Sequence, residues 1–100
     1  MYAIEWSEEA KGDLRRISAF ARGPVTTAIE QLRSQATRET RNRRPLKQPL
    51  EDLPAATWQI RVGSYRGLYR ISDGHTVQIL RVILKGRDTT WEAVARDKKP

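Results

Sequence analysis

The sequence has no cysteine, a single histidine, one phenylalanine and one methionine. Without cysteine there is no disulfide frame, no thiolate nucleophile and no cysteine zinc site. With His75 alone, a serine–histidine–acid triad has one possible base, and a multi-histidine metal site cannot be built. No apolar run approaches the roughly 20 residues of a membrane-spanning helix. The stretch from Met1 to Ser7 does not read as a signal peptide, because Glu5, then Glu8 and Glu9, stand where an apolar segment would be. A soluble, cytoplasmic protein is the expectation, with no metal, no cofactor and no membrane partner. Acids are scarce too: 12 Asp and Glu face 19 Lys and Arg, a net charge of +7. Such an excess attracts polyanions. The 100 residues suit a single domain over 1–100, and a hydrophobic share of 38% predicts a thin core.

The pattern along the chain predicts an α+β domain. Tyr2, Ile4 and Trp6 alternate as one face of a short strand. Ser7 followed by Glu8 and Glu9 is a helix N-cap signal, since hydroxyl and carboxylates meet unpaired amide donors. Ala10, Leu14, Ile17 and Ala21 recur at helical spacing, and Gly23-Pro24 predicts the stop of this helix and the start of the next. Val25, Ala28, Ile29, Leu32 and Ala36 form the second apolar stripe. Three prolines, Pro45, Pro49 and Pro54, forbid a continuous helix over 38–54 and predict a basic loop there, pinned by Leu46, Leu50 and Leu53. Strands follow from Trp58 to Val62, from Tyr65 to Ile71 and from Thr76 to Leu84, with turns at Gly63-Ser64 and Asp73-Gly74. A short terminal helix is expected from Thr90 to Arg96. The order implies a small antiparallel β-sheet with an N-terminal helical hairpin packed on one face and a short C-terminal helix.

Several sources of chemistry read as structural instead. Glu8 and Glu9 suit a helix start, and Glu51 and Asp52 a loop, so no catalytic carboxylate pair is indicated. His75 follows Asp73-Gly74 and reads as a turn residue. The glycines do not open a helix after a strand as a phosphate loop requires. The basic residues of the β region are more suggestive. Arg61, Arg66, Arg70 and Arg81 fall on successive strands, with Lys85 and Arg87 just beyond. Guanidinium groups gathered on one sheet face repel one another unless an anion sits among them, and arginine binds phosphate oxygens bidentately. Tyr65 and Trp91 offer rings on which a base could stack. An ordinary basic surface, or arginines paired with local acids, accounts for the same residues.

The run from Trp58 to Ile71, Trp-Gln-Ile-Arg-Val-Gly-Ser-Tyr-Arg-Gly-Leu-Tyr-Arg-Ile, resembles the signature of the RelE/ParE toxin superfamily of bacterial type II toxin–antitoxin systems. The resemblance extends over Tyr2 to Ile17, Pro45-Leu46-Lys47, and Ile79 to Val82 followed by Gly86-Arg87. It implies a RelE/ParE-like fold and a small acidic antitoxin as partner. For RelE-like members it implies a ribosome-dependent mRNA endoribonuclease. This toxin needs no metal: the 2′-hydroxyl attacks the adjacent phosphate and leaves a cyclic phosphate, so that translation and growth stop. Plasmid stabilisation is a role such systems serve. ParE-like members imply instead a DNA gyrase inhibitor without nuclease activity.

Carried over residue by residue, the resemblance assigns Arg66 to the scissile phosphate and Arg87 to leaving-group stabilisation or proton donation, with Arg61 the third catalytic candidate. Gln59 stands where well-studied members have lysine, and Trp91 where a tyrosine is common. Lys47 and Lys85 are the lysines that could replace the missing one. Gln59, Tyr65, Trp91, Arg44, Lys47 and Lys85 are the expected substrate-binding residues, with Arg41 to Lys47 a flanking approach for RNA or antitoxin.

Overall fold

The computed structural model describes residues 1–85; Arg87, Trp91 and the expected terminal helix over 90–96 lie outside the described residues. The elements are β1 (Ala3–Trp6), α1 (Glu8–Arg16), α2 (Ala19–Glu30), α3 (Leu32–Gln35), β2 (Arg43–Pro45), β3 (Trp58–Val62), β4 (Tyr65–Ser72) and β5 (Thr76–Leu84). The fold is α+β. Its sheet has five strands in the order β1-β5-β4-β3-β2. The sheet is mixed, not wholly antiparallel: β1 runs parallel to β5, with Ile4 opposite Val77. The three helices carry the chain from β1 to β2 at the opposite edge, and β3, β4 and β5 then return it strand by strand to the side of β1.

Ser7 begins α1 as the N-cap, its hydroxyl accepting from the Ala10 N–H at 3.0 Å and donating to the Leu80 carbonyl at 2.9 Å. Leu80 is available because β5 bulges there: Leu68 faces Arg81 while Tyr69 faces Ile79. The first helix ends earlier than Gly23-Pro24 predicts. Ile17 turns extended, and Ser18 caps α2, accepting from the Ala21 N–H at 3.3 Å. Arg22 then reaches back to donate to the Ile17 carbonyl at 2.9 Å. Gly23-Pro24 lies within α2, on its exposed side, so the bond that Pro24 cannot make falls at solvent.

The three helices cover one face of the sheet. Ala10, Ile17, Val25, Ile29 and Leu32 pack on Ile60, Tyr69, Val77, Ile79 and Val82. Tyr69 is fully buried and donates its hydroxyl to the Ala36 carbonyl at 2.7 Å. Gly67 lies opposite Ile60, where a Cβ would meet Ile60 Cγ2 at 2.9 Å, so only glycine leaves room. A buried ion pair ties α1 to β5. Asp13 accepts from Arg81 Nε at 2.8 Å, from a second Arg81 nitrogen at 2.9 Å and from the Val82 N–H at 2.9 Å.

The basic loop expected over 38–54 contains β2, which pairs antiparallel with β3 and sets Arg44 opposite Gln59. The segment after it folds over the other face of the sheet. There Leu50 and Ala56, with Leu46 and Leu53, close on Leu68, Leu80 and Ile83 in a second apolar cluster. The expected pins are present, and they hold a core of their own. Two turns reverse the chain as expected: Gly63 has φ 59°, and Asp73 and Gly74 have φ 54° and 71°. Consecutive positive φ values match the tight hairpin turn that an Asp-Gly pair favours.

Candidate phosphate-binding cleft

The face that carries the second cluster changes character towards the β3–β4 turn. On β4 the side chains of that face run from Leu68 to Arg66, and on β3 from Gln59 to Arg61. Arg61 and Arg66 stand directly opposite each other across the strand pair. Two like charges in this register disfavour the fold by themselves. Arg66 is held in place: it is 8% exposed, and its guanidinium donates to the carbonyls of Gly63 at 3.0 Å and Tyr65 at 2.9 Å. Burial lowers its pKa from the ordinary arginine value, and the charge of Arg61 lowers it further. It remains a cation at any working pH, because the starting value is so high.

These side chains line an open cleft of about 250 Å³. β3 contributes Gln59 and Arg61, β4 contributes Arg66, and the segment entering β2 contributes Arg41, Asn42 and Arg44. Lys85, one residue past β5, completes the lining, its backbone N–H anchored to the Ser64 carbonyl at 2.8 Å. Arg61 is tied to the β2 approach, since its N–H donates to the Asn42 carbonyl at 2.7 Å. No carboxylate lines the cleft, and none of its five cations is ion-paired among the described residues. Such a site attracts an anion with several oxygens, because each guanidinium offers a planar fork of donors.

Of the expected site residues, the fold gathers Arg61, Arg66, Gln59, Lys85 and Arg44. It does not bring Lys47 or Tyr65 to the cleft. Lys47 is exposed on the loop after β2. Tyr65 precedes Arg66 on a pleated strand and therefore faces the opposite way, against the helical core. Arg81 is not part of the basic face either, since it is spent on Asp13. Asn42 was not expected in the lining. Only the β2–β3 register reveals it, and a three-residue strand ending in proline has no alternation to read. Arg87 and Trp91 lie outside the described residues.

The fold is a small α+β domain whose sheet carries a cationic cleft with no ion pair among the described residues, an arrangement suited to a polyanion. Comparison with known proteins places it further. The family model for the ParE toxin of type II toxin–antitoxin systems (parDE) matches residues 4–89, and the chain belongs to that family, within the RelE/ParE superfamily. It is similar to a chain in the toxin–antitoxin complex RelBE2 from Mycobacterium tuberculosis. Identity is 32% over 81% of this chain and 94% of that one, with a TM-score of 0.63. The fold is also that of the isolated Escherichia coli RelE toxin, with 21% identity, coverage of 97% and 99%, and a TM-score of 0.66. The YoeB/ParE toxin from Agrobacterium tumefaciens shares it at 19% identity, coverage of 80% and 94%, and a TM-score of 0.62. No curated protein sequence matches the chain significantly. Among the described residues, no helix is long and apolar enough to cross a membrane, and no cluster of side chains could hold a metal ion.

Proposed function

We infer that the chain is a toxin that cuts mRNA on the ribosome. The observation that carries this reading is the Arg61–Arg66 pair, opposed across two strands in a cleft that no acid lines among the described residues. A phosphodiester between them relieves their repulsion. The extra charge of a pentacoordinate phosphorane is stabilised more strongly still, which is how fixed cations accelerate such a step. Attack by the 2′-hydroxyl forms the O2′–P bond and breaks P–O5′, giving a cyclic phosphate and a 5′-hydroxyl. Arg41 and Arg44 at the β2 end suit the flanking backbone. Arg87 and Trp91 are further candidates on the strength of the resemblance alone.

A cognate antitoxin, acidic where it meets this cleft, is the expected partner. A second reading has support in the family match to ParE toxins and in Gln59, an amide that cannot act as a base. It makes the chain a gyrase poison. The test is induction of the protein alone in cells, with mRNA 5′ ends mapped on ribosomes and plasmid supercoiling followed in parallel. New 5′ ends within translated frames, with supercoiling intact, are expected. Cleaved gyrase–DNA complexes with intact mRNA overturn the nuclease reading.

A further inference from the structure

Strand order gives the cleft a direction. Arg41, Asn42 and Arg44 lie at its β2 end, Arg61 and Arg66 stand in the middle, and Lys85 is at the β5 end. The span is three strand spacings, about 14 Å at about 4.8 Å each. A phosphate seated on the central arginines therefore has Lys85 on one flank and the β2 residues on the other.

In-line displacement places the attacking and leaving oxygens on opposite sides of phosphorus. The flanks differ in what they can do with a proton. The β2 flank holds guanidinium and amide groups, and β3 adds the amide of Gln59. Guanidinium does not release its proton in a protein, and an amide does not exchange one usefully. The β5 flank holds Lys85, the one amine of the lining among the described residues. An ammonium group, unlike a guanidinium, can hand a proton to an alkoxide. Lys85 is also fixed at its backbone by the bond to Ser64 in the β3–β4 turn, the turn that supplies the Gly63 carbonyl to Arg66. Lys85 and the Arg66 guanidinium thus share one support.

We propose that Lys85 is the general acid of the cleft, handing a proton from Nζ to the 5′-oxygen as the P–O5′ bond breaks. The inference rests on the nuclease reading above. The 2′-hydroxyl loses its proton to solvent water, O2′ bonds to phosphorus, and the 5′-oxygen leaves with the lysine proton. The neutral amine recovers a proton from solvent. Atoms and charge balance without any other reactant.

The test uses the full chain on ribosomes programmed with a synthetic mRNA. The mRNA carries either the natural oxygen or a bridging sulfur at the 5′ position of the scissile link. Lys85→Ala and Lys85→Arg are compared with the unaltered protein. A thiolate leaves without protonation, whereas an alkoxide needs it. On the oxygen substrate both variants should lose roughly 10²-fold or more, in the range of general-acid contributions. On the sulfur substrate both should cut within about threefold of the unaltered protein, on the same principle. Circular dichroism and melting of each variant should be unchanged.

If Lys85→Arg keeps full rate on oxygen, Lys85 supplies charge alone and the inference is overturned. If both variants are equally impaired on oxygen and sulfur, Lys85 acts as a base or in binding, and the inference again fails. An unaltered protein that cuts neither substrate sinks the nuclease reading and this inference with it.

Discussion

Replacing Asp13 by alanine should unfold this protein more readily than any exposed substitution. Its carboxylate is 3% exposed and accepts four hydrogen bonds. The bond from Arg16, at 2.7 Å, comes from a side chain 71% exposed and contributes little. The other three are buried. Losing the carboxylate leaves the Val82 N–H without its acceptor, at about 1–3 kcal/mol. It also leaves the 4%-exposed Arg81 with a charge in the interior and two bonds fewer. Breaking a buried pair from one side costs about 3–5 kcal/mol in all. Glu9, 3.8 Å from Arg81 but 69% exposed, offsets little of that. For a domain with total stability of about 5–15 kcal/mol the loss is severe. Urea denaturation by circular dichroism should show a midpoint far below that of the unaltered chain at the same slope. The melting temperature should fall by more than about 10 °C. Replacing both partners with apolar residues, Asp13→Leu with Arg81→Met, should recover most of the loss. A loss below about 1 kcal/mol in the single variant would refute the assignment of this pair as the link between α1 and β5.

Gly67→Ala should cost about 1–3 kcal/mol by forcing Ile60 aside from a 2.9 Å contact, as read from the urea midpoint. Tyr69 should stay protonated above the ordinary tyrosine range, because burial pushes its phenol up, against a smaller opposing effect of the Arg43 charge. The folded state holds that proton more tightly than the unfolded one. Its contribution to stability is therefore full below about pH 10 and is lost as pH rises beyond it. Absorbance titration should show Tyr69 ionising only with unfolding. Binding of a single-stranded RNA oligonucleotide should weaken with salt. Arg44→Ala should reduce the slope of log affinity against log salt by about 1, and an unchanged slope excludes Arg44 as a phosphate contact.

The strands from Trp58 onward were legible because each local signal agrees with the others. Alternation marks β3, Gly63-Ser64 and Asp73-Gly74 mark the turns, and the apolar run of β5 reflects burial on both faces. The helix break was misplaced because Gly-Pro is the strongest local stop signal. The chain instead uses Ser18 as a cap and Arg22 as a clamp, a tertiary choice no dipeptide announces. β1 beside β5 and Asp13 with Arg81 join residues about 70 apart, and nothing within either segment specifies its partner. The cleft was half legible. Arg61 and Arg66 follow from strand pleat and register, whereas Arg41 and Asn42 depend on the β2 pairing.

The cleft's charge, with no ion pair among the described residues, is the centre of the functional account. The most direct measurement is the rate at which purified protein cuts mRNA on programmed ribosomes, with Arg66→Ala alongside and gyrase supercoiling assayed from the same preparation. The account predicts cutting by the unaltered protein, a fall of about 10²-fold or more in Arg66→Ala with the fold retained, and untouched gyrase. Intact mRNA together with inhibited gyrase, or an Arg66→Ala variant that cuts at full rate, contradicts it.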